Sequence, residues 1–139
     1  MCGSDRAPED QHGVVIYSTD LVDAVLQRAE IQRGYTLVIW RGRHVVEPFD
    51  LAADESATYW RSVEKVARAL ATYYKPLKMN YQTLGNTVPH LHTHLIPRYT
   101  QDPAPGKPFP LLPQSGSEPV IADDALRADA RALQQLLDA

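Results

Sequence analysis

Three of the chain's five histidines stand within five residues, His90-Leu91-His92-Thr93-His94. Side chains on an extended strand alternate between faces, so His90, His92 and His94 share one face while Leu91, Thr93 and Leu95 take the other. A lone histidine is most often a surface or hydrogen-bonded core residue. Three in register repel one another when protonated and are costly to bury unpaired. Two chemistries suit such a row. The first is a metal site. Same-face neighbours lie about 6.6 Å apart along a strand, so two of them can clasp one ion through bonds of about 2 Å. All three cannot without a bend, and further ligands would have to come from His44 or from Asp and Glu. The second is nucleophilic catalysis. A neutral imidazole attacks phosphorus and forms a phosphoramidate that water reopens, while a neighbour donates to the leaving group or the phosphate.

The elements that position this row follow from apolar patterning. Val14–Tyr17 is a short β-rich run ended by the turn chemistry of Ser18-Thr19-Asp20. Residues 21–26 read as a second strand or a short helix, which periodicity does not decide. Gln32-Arg33-Gly34 is a turn, and Tyr35–Trp40 is the clearest central strand. Residues 53–75 carry the best helical stripe: Tyr59/Trp60, Val63, Val66/Ala67, Leu70 and Tyr73/Tyr74. Asp54 and Glu55 suit its N-terminus and Pro76 stops it. Residues 77–84 read as a strand, Gly85-Asn86-Thr87 as a turn, and Val88–Ile96 as a return strand closed by Pro97. Residues 102–113 hold five prolines and one glycine, an extended loop over the surface. A last helix spans about 122–138, with Leu126, Ala130, Leu133 and Leu136/Leu137 on one face and Asp123 or Asp124 as N-cap. The expected architecture is α+β: an antiparallel sheet with one long helix and a C-terminal helix. Residues 1–12 read as a flexible polar tail and 13–139 as a single domain.

Composition narrows the function. A net charge of −3 argues against bulk attraction to a nucleic-acid polymer, so any phosphate is held by a few placed donors. Cys2 is the one cysteine, which excludes a disulfide within the chain and a cysteine-based zinc site. No apolar run approaches the roughly 20 residues a bilayer requires, and residues 1–12 lack the apolar core of a secretory signal. The expectation is a cytoplasmic protein with no membrane contact.

The stretch His90-Leu91-His92-Thr93-His94-Leu95-Ile96 resembles the signature of the histidine triad (HIT) family, His-φ-His-φ-His-φ-φ with φ apolar. Its approach, Gly85-Asn86-Thr87-Val88-Pro89, is similar to that family's Gly-Gln-(Ser/Thr)-Val loop. Gly34-Tyr35-Thr36-Leu37-Val38-Ile39 resembles its Gly-His-Val-Leu-Val strand, and Arg43-His44 its basic-His turn. The resemblance covers about residues 16–99. Thr93 departs from the pattern at an apolar position, Asn86 stands for the commoner Gln, and Tyr35 for a frequent His. Pro97-Arg98-Tyr99 is similar to the fragile-histidine-triad branch of dinucleoside polyphosphate hydrolases, and the tail of the phosphoramidase branch is absent.

The resemblance implies a nucleotide hydrolase or nucleotidyltransferase acting at an α-phosphate, with a sheet continued across a homodimer. It implies His92 as the nucleophile that carries a nucleotidyl intermediate, His94 beside the departing group and His90 beside the phosphate. Asn86 and Thr87 are candidates for the phosphate oxygens, Asn80 for the leaving side, Gln27 for the ribose and His44 for the nucleotide pocket. Arg98 is expected to support the strand end or a partner subunit. No metal is needed for bond making and no cofactor is implied, though a divalent cation can accompany a polyphosphate substrate. Two alternatives stand beside this reading: a metal-dependent hydrolase using the histidines, and a nucleotide-binding regulatory protein with weak catalysis.

Overall fold

The computed structural model describes residues 6–102, 104–110 and 119–138. Among these residues five strands form one antiparallel sheet: β1 (Gly13–Ser18), β2 (Val22–Gln27), β3 (Thr36–Trp40), β4 (Lys78–Gln82) and β5 (His92–Arg98). Their order is β1-β2-β3-β5-β4. The expected α+β architecture is therefore present, and residues 21–26 resolve as strand. Val22, Ala24 and Leu26 face the main core, and the strand pairs with β1 and β3 on either side.

Helix α1 (Ala53–Tyr74) lays Tyr59, Val63, Val66, Ala67 and Leu70 on that same sheet face. Its first turn is held by Glu55, whose Oε1 accepts from the Ala52 N–H at 2.7 Å and from Arg43 at 2.8 Å. Lys75 closes the helix in a left-handed conformation (φ 52°) and Pro76 prevents its continuation. Helix α2 (Asp123–Asp138) packs on β1 and α1 through Leu126, Ala130, Leu133 and Leu137. Asp129 ties it to α1 by accepting from Tyr73 (2.7 Å) and Tyr74 (2.9 Å). Asp123 and Asp124 lie inside its first turn rather than capping it, because the Ala122 carbonyl already takes the Leu126 N–H. Leu136 points outward, and Leu137 completes the apolar face.

The return strand differs from expectation at both ends. It begins at His92, not Val88. Pro89 has no N–H and a fixed φ near −65°, and around it the His90 N–H reaches back to the Val88 carbonyl at 2.8 Å. That i→i+2 bond is an inverse γ-turn, which takes the chain out of strand geometry. At the far end Pro97 lies inside β5, paired with Met79 of β4. Pairing with β3 has already stopped at Leu95, so on that side a residue without an N–H has no ladder to complete.

Residues 6–12, expected as part of a flexible tail, run along β1. Pro8 accepts from the Val15 N–H at 2.9 Å, Glu9 bridges to Val14, and Glu9 holds Arg127 at 2.8 Å. Residues 1–5 of that tail, and 103 and 111–113 of the proline-rich loop, lie outside the described residues. Among the described residues no helix is long and apolar enough to cross a membrane.

Candidate active site

With both helices on one side of the sheet, the opposite side is built by alternate residues of the strands. Registers place His92, His94, Ile96 and Arg98 of β5 there, beside Leu37 and Ile39 of β3 and Lys78, Asn80 and Gln82 of β4. β5 pairs with β3 over His92–Leu95 and with β4 from His94 onward, so both side chains project from hydrogen-bonded strand and His94 is flanked on both sides. Their rings stand 5.0 Å apart between centroids. Thr93, the departure from the apolar pattern, faces the helices. Its hydroxyl meets the Tyr59 phenol at 2.6 Å and the Thr83 hydroxyl at 2.8 Å. The Tyr59 hydroxyl also donates to the Val38 carbonyl at 3.3 Å, and a valine at 93 would leave it that longer contact alone.

His90 does not share the strand. The γ-turn carries it to the end of β3, where its ring is buried against the Trp40 carbonyl. The three histidines are nevertheless contiguous, because the bend brings the His90 carbonyl to 2.7 Å from Nδ1 of His92.

These contacts assign the ring protons. A carbonyl can only accept, so His92 carries its proton on Nδ1 and presents an Nε2 lone pair. His90 likewise donates from Nε2 to Trp40. Burial, together with the nearby His44 and His92 rings, lowers its pKa and keeps it neutral, although the Trp40 bond opposes this. Its Nδ1 lone pair therefore accepts from His44 Nδ1 at 3.1 Å. Burial, reinforced by His92, pushes His94 down to about 4. His92 thus stands between two imidazoles held neutral by burial, with its own Nδ1 tied to a carbonyl and its Nε2 left for other contacts. Among the described residues no group of three or more His, Cys, Asp or Glu is arranged to hold a metal ion.

The other sequence candidates fall in three places. His44 joins His90 directly. Asn80 is on the histidine face, and its Oδ1 accepts from Arg98 at 2.8 Å. Asn86 and Thr87 are exposed on the loop before the γ-turn, which turns at Gly85 (φ 94°). Gln27 ends β2, two strands from β5, where its amide donates to the Val25 carbonyl at 3.2 Å.

Sequence reasoning missed Tyr35 as a site residue. Its hydroxyl lies 2.6 Å from Nδ1 of His94, with the rings edge to face. The signal was present as the Tyr that stands in place of a His after Gly34. Arg98 does more than finish a strand. Its side chain is 2% exposed, and it holds Asp102 at 2.7 Å, Asn80, and the carbonyls of Ala104 (2.8 Å) and Lys107 (2.6 Å). Its guanidinium also sits 5.5 Å from the Phe109 ring centroid. The proline-rich segment is thereby folded back beside the histidine face, where Phe109 meets Tyr35 at 6.3 Å.

A family profile described as the HIT domain matches residues 9–101. The chain is 30% identical over 89 residues to "Protein hit" of Bacillus subtilis, covering 60% of this chain and 61% of that protein. It is 31% identical over 90 residues to a bis(5'-adenosyl)-triphosphatase of Saccharomyces cerevisiae, covering 61% of this chain and 44% of the yeast protein. The chain thus spans less than two thirds of the length of these relatives. A crystal structure of a histidine triad protein from Bradyrhizobium japonicum superposes with a TM-score of 0.79 at 26% identity, covering 91% of each chain.

Proposed function

The chain belongs to the HIT domain family, and on that premise we propose that it is a nucleotide hydrolase or nucleotidyltransferase that works through His92. The supporting observation is the bond from His92 Nδ1 to the His90 carbonyl, which leaves the Nε2 lone pair as the reactive atom. Nε2 attacks the α-phosphorus of a dinucleoside polyphosphate or other nucleotide conjugate. An N–P bond forms as the P–O bond to the leaving group breaks, and the leaving group departs with the bonding pair. His94 donates from Nε2 to that oxygen as charge builds on it. Water then attacks the same phosphorus, the N–P pair returns to His92, a nucleoside monophosphate leaves and one water proton passes to solvent.

The remaining candidates take supporting roles in this reading. Asn80, with its Oδ1 engaged by Arg98, offers its amide N–H to the leaving side. Asn86 and Thr87 supply donors to the phosphate from a turn that exposes successive N–H groups. His90 and His44 hold the row beside the phosphate, and Gln27 lies toward the ribose. The name of the yeast relative, a bis(5'-adenosyl)-triphosphatase, favours an adenine dinucleoside polyphosphate as the first substrate to try. His92→Ala should abolish its turnover while AMP affinity stays within a few-fold by calorimetry. Near-normal turnover would overturn the mechanism.

We also propose a homodimer joined through β4. This strand is an edge of the sheet, and it carries or adjoins exposed apolar residues, Leu77 and Tyr81. A bare apolar edge is a liability unless covered.

A further inference from the structure

We infer that Tyr35 is a positioning residue that fixes the tautomer of His94, so that this imidazole presents an Nε2–H to the leaving group. The inference deepens the reading above and rests on it for the identity of the leaving-group side.

Two arrangements fit a 2.6 Å contact between the Tyr35 hydroxyl and His94 Nδ1. Either the phenol donates to an Nδ1 lone pair, or an Nδ1–H donates to the phenol oxygen. Burial decides between them. Tyr35 is 8% exposed, and among the described residues its hydroxyl meets one hydrogen-bond partner, His94. If the imidazole donated, the phenol proton would be buried without an acceptor, at the cost of a lost hydrogen bond. If the phenol donates, both groups are satisfied. The ionisation states agree. Burial pushes the Tyr35 phenol up to about 12, so it keeps its proton, and His94 is neutral, so it has one lone pair to give. With Nδ1 accepting, the imidazole proton must sit on Nε2.

The outcome is the mirror image of His92. There a carbonyl accepts at Nδ1 and frees an Nε2 lone pair; here a hydroxyl donates at Nδ1 and forces an Nε2–H. Two adjacent imidazoles are thus set as nucleophile and donor by opposite hydrogen-bond partners. The backbone fixes the geometry of the second. Gly34 has φ 84°, and a Cβ there would lie 2.8 Å from the Tyr74 ring and 3.0 Å from Pro97. Glycine therefore lets the chain enter β3 with Tyr35 aimed at β5, and Phe109 packs against its ring at 6.3 Å.

The test has two arms, both using Tyr35→Phe, which removes one oxygen and keeps the ring. Long-range 1H–15N correlation spectra read the tautomer directly. His94 should be the Nε2–H form in the wild type and lose that preference in the variant. An Nδ1–H form in the wild type would overturn the inference whether or not the protein turns over nucleotides. The second arm compares two nucleotide substrates, one with a polyphosphate leaving group and one with a nitrophenolate that departs unaided. The variant should lose about tenfold on the first, the usual worth of one hydrogen bond, and little on the second. Equal losses on both would mark Tyr35 as merely structural and overturn its role. Failure of wild-type His92 to form a nucleotidyl adduct would instead overturn the underlying reading, with the tautomer result left intact.

Discussion

At the scale of single residues, the site is a problem in where protons sit. Four imidazoles, His44, His90, His92 and His94, crowd one end of a sheet, and burial keeps His90 and His94 uncharged. This has a consequence for stability. The folded His94 refuses its proton until about pH 4, whereas in the unfolded chain it titrates near 6.5. Between those values the unfolded state binds more protons, so stability falls as pH drops from about 6.5 to about 4. His90 acts in the same direction. Burial opposes ionisation of Asp102, but hydrogen bonds from Gln32 and Arg98 hold its carboxyl below the usual range, so its contribution is lost only below that window. Urea midpoints should therefore decline between pH 7 and pH 5 in the wild type and decline less in His94→Gln. Identical declines would contradict the assignment. The residues of this site were legible unevenly. A row of histidines is visible in any reading of the sequence, and the turn of Thr93 away from the histidine face, toward the helices, followed from alternation alone. Tyr35 was legible only as a Tyr where the resembled pattern has a His; its hydroxyl contact, between residues 59 positions apart, has no local signature of its own.

At the scale of elements, the strands and helices were legible wherever patterning ran unbroken, as in α1 with its stripe from Tyr59 to Leu70. Pro76 stops α1 as its type requires, but the ends of β5 depart from the pattern at two other prolines. Pro89 ends the return strand early by a γ-turn, and Pro97 fails to end it because its β3 flank is already open. The proline-rich segment reads from composition as an extended surface loop, yet Arg98 binds two of its carbonyls and the Asp102 carboxylate within a buried site. Removing one member of a buried ion pair typically costs about 3–5 kcal/mol. Arg98→Met should lower stability by about 3 kcal/mol in chemical denaturation. It should also release the segment that carries Phe109, seen as faster amide exchange over residues 104–109. A loss under about 1 kcal/mol would show that the pair and its carbonyls contribute little.

At the scale of the whole molecule, one sheet separates a core from a site. The helices cover one face, and His92 and His94 stand on the other, on a strand that lies inside the sheet between β3 and β4. The open edge is β4, where we place the homodimer contact. Replacing Leu77 and Tyr81 with Lys should convert a dimer to a monomer in sedimentation without unfolding it. A wild type that sediments as a monomer at micromolar concentration would remove that proposal. The central claim concerns His92, and it is tested most directly by intact mass after a brief, acid-free quench with an adenine dinucleoside polyphosphate. The account predicts a nucleotidyl adduct on the wild type that maps to His92 and is absent from His92→Ala. Turnover by the wild type with no adduct at any time, or an adduct that persists in His92→Ala, would contradict it.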